Sequence, residues 1–229
     1  MYCFCPDNKF NIISIPKCGC TQSEGGFTKC YSQMLCNDHF TLTKQNNSVA
    51  LVVIDCQPVY YDFNPTIKEN FPELPRKVSN ILSIARQRLS PEQIIHVRAN
   101  YTLKFAQNFD RLNPDKLLPN DVHACSWAAS NIGEEIIVKG SFDAFHDTNL
   151  ESYLRETGID TIVVCGLVTS VCVLFSTQSA FARGFKVLIY EEGCGDRCIE
   201  RHKSAISLYD NYCFEVYNDC DTIFDLKSK

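Results

Sequence analysis

From residue 48 onward the chain repeats one pattern. A short run of apolar, mostly β-branched residues is followed by a longer stretch with apolar positions three and four apart. The runs are 49–54 (VALVVI), 93–97 (QIIHV), 135–138 (EIIV), 161–165 (TIVVC), 185–190 (FKVLIY) and 212–216 (YCFEV). Such short, continuously apolar runs predict strands buried on both faces. Helices are predicted over 72–89, where Leu74, Val78, Ile81, Leu82, Ala85 and Leu89 fall at helical spacing, and over 148–155, 171–184 and 198–208. A short terminal element is expected at 219–226. The passage 98–131 is long and polar. Short buried strands alternating with helices indicate an α/β fold with a parallel sheet covered on both faces.

That architecture aligns three ionisable groups. Asp55 ends the first strand, Lys139 ends the third, and Cys172 lies just past the fourth. In a parallel sheet the carboxyl ends of the strands face one edge, where open α/β sheets place their ligands. Gly166 permits a sharp turn, and Thr169 or Ser170 can cap the helix that follows. Cys172 then sits in a first helical turn, where the partial positive charge of the helix end is expected to lower a thiol pKa. Each residue has a plainer reading. A free Cys packs as a small hydrophobe, an Asp at a strand end forms a turn, and a Lys there is solvated. Together they offer a nucleophile, a base and a cation.

Composition narrows the class. The chain has 229 residues, 45% hydrophobic and 21% charged, enough for one sizeable domain with an appendage. The formal net charge is -5, with no concentrated basic patch, which excludes a nucleic-acid footprint. No apolar run reaches the length of a membrane span. No basic segment leads into a long apolar one at the N-terminus, so a cytoplasmic setting is expected. Of the 14 cysteines, Cys3, Cys5, Cys18, Cys20, Cys30 and Cys36 fall in a polar, glycine-containing stretch over 1–47. This stretch reads as a poorly ordered arm, and its Cys-x-Cys pairs depart from the usual zinc spacings. The domain proper is expected over 48–229.

Three motifs carry a resemblance to a known family. ALVVIDCQ holds Asp55 and Gln57. IIVKGSFDAFHDTNL holds Lys139, Ser141, Phe145, Thr148 and Leu150. GLVTSVCVLFSTQSAFARGFKV holds Cys172 and its helix. In this order, and over about 49–216, they resemble the isochorismatase-like cysteine hydrolases, a superfamily that includes nicotinamidases, N-carbamoylsarcosine amidases and ureidoacrylate amidases. The resemblance implies a Rossmann-like three-layer sandwich, with about six mostly parallel strands and helices on both faces. It implies Asp55, Lys139 and Cys172 as catalytic residues, and the N–H groups of Val168 and Cys172 as an oxyanion hole. It also implies a cis bond between Leu167 and Val168 and a homo-oligomer.

The expected function is thiol-dependent hydrolysis of a small amide or ureido compound. Cys172 attacks, Asp55 shuttles the proton, and Lys139 supplies positive charge. Gln57, Tyr60, Phe63, Trp127 and Phe145 are the expected substrate contacts. The stretch HVRANYTLKFAQN lacks the His cluster with which nicotinamidases bind a metal, so neither metal nor cofactor is expected. His96 reads as a strand residue, and His123 and His146 are not assigned as ligands. Substrate choice is expected to reside in 100–131. Two alternatives stand beside this reading: vinyl-ether hydrolysis of isochorismate, and a non-catalytic binding member of the family.

Overall fold

The computed structural model describes residues 48–114, 118–119 and 122–224. The Cys-rich stretch 1–47 and the end of the expected terminal element lie outside the described residues. Six strands form one sheet: β1 (Ser48–Ile54), β2 (Ile94–Ala99), β3 (Glu135–Lys139), β4 (Ile159–Leu167), β5 (Lys186–Gly195) and β6 (Glu215–Tyr217). Their order is β3-β2-β1-β4-β5-β6, and every pair is parallel. The central strand β1 is buried from Val49 to Ile54, as its unbroken apolar run requires.

The helices are α1 (Pro65–Asn70), α2 (Leu74–Arg88), α3 (Leu103–Leu112), α4 (Leu150–Glu156), α5 (Leu174–Ala182) and α6 (Ile199–Tyr209). The crossovers β1 to β2 and β4 to β5 run in opposite directions along the sheet. Right-handed connections therefore put α2 and α5 on opposite faces, which makes three layers. The apolar stripe predicted on 72–89 is the buried face of α2: Leu74, Val78, Ile81, Leu82 and Ala85.

Two helices depart from expectation. Neither α1 nor α3 is predicted by the apolar pattern. Local chemistry starts both: Asn64 Oδ1 accepts the Ile67 N–H at 3.2 Å ahead of Pro65, and Thr102 Oγ1 accepts the Phe105 N–H. Strands β4 and β5 run beyond their apolar cores, β5 through the small residues Gly193 and Gly195. The expected element at 219–226 is a turn over 220–224.

Strand order changes direction between β1 and β4, each leading away to one side of the sheet. There the two backbones come unusually close. Gly166 pairs with Ile54, has φ 123°, and an added Cβ would lie 2.0 Å from the Ile54 carbonyl oxygen. Only glycine fits, and the fit brings the end of β4 against the residue before Asp55. Gly184 also has positive φ, at 83°, but nothing lies within 4 Å of an added Cβ.

We predict that Gly166→Ala costs about 3 kcal/mol or more, since clash and backbone strain add. Gly184→Ala should cost about 1 kcal/mol, from strain alone. Urea denaturation of the two variants checks this; equal losses would show that the close approach is not what requires Gly166.

Candidate active site

The sheet edge assembles the site from strand ends. Asp55 follows β1, and its N–H donates to the Val97 carbonyl at 2.9 Å, so β2 anchors it. Its φ of 50° turns the chain out of the strand, a conformation that Asp tolerates. Lys139 ends β3, two strand spacings from β1, about 10 Å away. The intervening register partner is Ala99, whose small side chain leaves room for the lysine to cross. Lys139 Nζ lies 2.8 Å from Asp55 Oδ2, with both side chains fully buried. It also donates to the Ser141 carbonyl at 2.9 Å and lies 5.8 Å from the Tyr101 ring centre.

Cys172 reaches the same point from the far side of β1. It lies in a π-helical turn, Thr169–Val173, that leads into α5, and its thiol interacts electrostatically with both Asp55 and Lys139. The Leu167–Val168 bond is cis, as the resemblance implies. Neither Thr169 nor Ser170 caps the turn with its side chain. The partner comes from just past β5 instead: Ser170 N–H donates to Asp196 Oδ2 at 2.6 Å, and Asp196 Oδ1 accepts the Arg197 N–H at 2.7 Å. Thr169 donates its hydroxyl to the Gly195 carbonyl at 3.0 Å and lies 2.9 Å from His202 Nδ1 on α6.

Burial governs the electrostatics. It pushes Asp55 above the ordinary carboxylate range, although the Lys139 charge and hydrogen bond pull the other way. It opposes the charge on Lys139, but Asp55 and Cys172 outweigh it, and Lys139 is raised. It pushes the Cys172 thiol up to about 12, against the pull of Lys139. The expectation of a lowered thiol pKa is therefore overturned. A helix end offers a fraction of one charge, whereas Cys172 is 2% exposed and faces a carboxylate. The resting sulfur keeps its proton.

Cys172 opens into a cavity of about 580 Å³. Val168 lines it, and so do Tyr60 and Phe63, two of the five side chains expected to contact a substrate. The other three, Gln57, Trp127 and Phe145, do not. Gln57 pairs both ends of its amide with the Ala99 backbone, accepting its N–H at 2.7 Å and donating to its carbonyl at 3.0 Å. Trp127 packs edge-on against Tyr61 at 5.3 Å, and Phe145 packs against Phe185 at 6.0 Å. Tyr101, Phe109, Phe142, Phe175 and Arg197 also line the cavity, and sequence reasoning missed them. A weak signal was present. Phe105 and Phe109 stand four apart behind a capping Thr102. Among the described residues, no group of three or more His, Cys, Asp or Glu side chains could hold a metal ion. His96 is a β2 residue, with Nε2 2.8 Å from Glu134.

The family model described as Isochorismatase domain matches residues 49–218, most of the chain. The chain belongs to the isochorismatase family. An uncharacterized isochorismatase family protein of Escherichia coli O157:H7 is 32% identical over 168 residues, 70% of this chain and 86% of that one. The N-carbamoylsarcosine amidase of an Arthrobacter species is 38% identical over 90 residues, which span 37% of this chain and 33% of the enzyme. The N-carbamoylsarcosine amidase structure from Thermoplasma acidophilum aligns with a TM-score of 0.64 at 20% identity, covering 75% of this chain and 97% of that one. This last likeness shows the Rossmann-like three-layer fold. Family membership makes the chain a hydrolase with amidases among its relatives. No helix among the described residues is long and apolar enough to cross a membrane.

We predict that Asp196→Ala destabilises the protein by about 2 kcal/mol, because it strips two N–H groups of their acceptor. Asp196→Asn, which keeps one acceptor oxygen, should cost less. Urea midpoints for both variants check this.

Proposed function

We propose that this chain is a thiol amidohydrolase that cleaves the C–N bond of a small amide or ureido compound through a covalent Cys172 intermediate. One observation carries the reading. A buried carboxylate–ammonium pair interacts with a thiol that lines a cavity large enough for a small molecule.

The raised pKa of Asp55 makes it a stronger base than an ordinary carboxylate, suited to a thiol at about 12. Asp55 takes the Cys172 proton as sulfur attacks the carbonyl carbon. The new S–C bond forms, and the C=O π pair moves to oxygen, towards the N–H groups of Val168 and Cys172. Collapse breaks the C–N bond, and the amine leaves with the proton from Asp55. Water, deprotonated by Asp55, then cleaves the thioester and releases the acid. Sulfur recovers its proton. Lys139 stays charged throughout and balances whichever neighbour is anionic. A homo-oligomer and a cytoplasmic setting belong to the same proposal, and light scattering and cell fractionation would test them.

A screen of amides, ureido acids and isochorismate against the purified chain tests the reaction. Release of ammonia or amine supports it; pyruvate from isochorismate with no amide turnover overturns it. We predict that Cys172→Ser abolishes turnover and that Asp55→Asn lowers kcat/KM by about 10²–10⁴-fold. Because Asp55 works as a base and its pKa is raised, kcat/KM should fall as pH drops through a value above the ordinary carboxylate range. An acid limb at or below an ordinary Asp pKa would remove Asp55 from that role.

A further inference from the structure

Two phenols meet at the Cys172 cavity. Tyr60 follows β1 and Tyr101 follows β2, and both line the space into which the thiol opens. Tyr60 donates its hydroxyl to the Tyr101 oxygen at 2.9 Å. A hydroxyl oxygen that accepts keeps its own hydrogen for another partner. We propose that this hydrogen goes to the Cys172 sulfur, which makes Tyr101 a further catalytic residue beside Asp55, Lys139 and Cys172. The role of Tyr101 in turnover rests on the amidase reading, whereas its hydrogen bond to sulfur does not.

The backbone fixes Tyr101 at the site. Asn100 N–H donates to the Lys139 carbonyl at 2.9 Å, and Thr102 N–H donates to the Gly140 carbonyl at 3.1 Å. Tyr101 is thus held between two residues tied to the end of β3. Its ring packs on Phe105 at 4.7 Å and edge-on to Phe142 at 5.9 Å and 84°. Lys139 Nζ lies 5.8 Å from the ring centre and 2.8 Å from Asp55 Oδ2, so the ring flanks the ion pair. The electrostatic interaction of the phenol with Cys172 exceeds that with Asp55, whose carboxylate already faces the lysine. Burial, then Cys172 and Asp55, push the Tyr101 phenol up, and burial pushes Tyr60 up as well. Both phenols therefore keep their hydrogens at neutral pH.

The bond matters most when sulfur carries charge. Asp55 takes the thiol proton as sulfur attacks, and sulfur takes back the bonding pair when the C–S bond of the thioester breaks. In both steps negative charge gathers on sulfur, and a hydroxyl aimed at it gives a charge-assisted hydrogen bond. Tyr101 keeps its proton in both steps, so the traffic of protons between Asp55, Cys172 and the amine is unchanged. Tyr60 acts through Tyr101 and is a positioning residue. Its bond polarises the Tyr101 hydroxyl and turns the Tyr101 hydrogen away from Tyr60.

Alkylation tests the contact without any substrate. The full chain is treated with iodoacetamide at fixed pH, and peptide mapping follows Cys172 alone. Tyr101→Phe keeps the ring and removes the hydroxyl. It should slow the labelling of Cys172 about 10-fold or more, because the thiolate is the nucleophile and loses a donor. It should cut kcat/KM for any amide turned over by a similar factor, in protein whose thermal midpoint shows it folded. Tyr60→Phe should have a smaller effect in the same direction, and the double variant should be no slower than Tyr101→Phe. Labelling of Cys172 untouched by Tyr101→Phe overturns the inference, whatever happens to turnover. Additive effects of the two variants overturn the role given to Tyr60. If labelling slows while the unaltered chain turns over no amide, the amidase reading fails and the hydrogen bond stands. If amides turn over and Tyr101→Phe changes neither rate, the reaction stands and Tyr101 is only a wall of the cavity.

Discussion

The site depends on one buried ion pair. Lys139 and Asp55 are both fully enclosed, and taking two charges out of water costs several kcal/mol per ion unless their partners are close and well placed. The fold supplies those partners by register. Ala99 opposite Lys139 leaves a passage, the Ser141 carbonyl takes a second ammonium hydrogen, and the Tyr101 ring flanks the charge. Removing either ion would strand the other, so the pair constrains β1, β2 and β3 together. Residues outside the cavity lining serve the same end, as Gln57 does when it clamps the Ala99 backbone.

The third member, Cys172, is set by contacts that bind its helix to the lysine loop. Ser176 Oγ accepts the Ala144 N–H, Ser179 donates to Asp143, and Thr148 donates back to the Ala144 carbonyl at 2.6 Å. Small hydroxyl residues on the buried side of α5 therefore do two things. They let the loop after β3 approach closely, and they satisfy polar groups of that loop that would otherwise be costly to bury. The Asp196 contact on Ser170 and the Thr169 contacts with Gly195 and His202 hold the other side of the turn.

This division explains what the sequence could reveal. Parallel strands buried on both faces write themselves as continuous apolar runs, so the inner strands and the strand end at Asp55 were legible; the edge strand β3 carries the same apolar run up to Lys139, although its Ile136 and Val138 are exposed. Cys172 was legible because a strand, a Gly and a helix follow each other at fixed spacing. The aromatic wall was not. Phe109 and Phe142 become neighbours only when α3 and the loop after β3 fold over the sheet edge, and no periodicity within either segment records that meeting. Trp127 and Phe145 illustrate the converse: each is a conspicuous aromatic that packs against another ring away from the cavity, Phe145 buried and Trp127 partly so.

The thiol pKa follows the same rule in energetic terms. A local argument from the helix end predicts a thiolate, and it counts a real effect, worth up to about 2 kcal/mol in favourable geometry. Desolvation of a nearly inaccessible sulfur beside a carboxylate is larger, and it is a property of everything packed around the turn. Burial that holds the proton on sulfur also raises Asp55, so the two groups are shifted in the same direction and Asp55 accepts a proton more readily than an ordinary carboxylate does. An isolated thiolate would need solvent or a full countercharge to persist. Here the Lys139 ammonium is that countercharge, and the net charge of the cluster does not change when the proton moves from the thiol to Asp55.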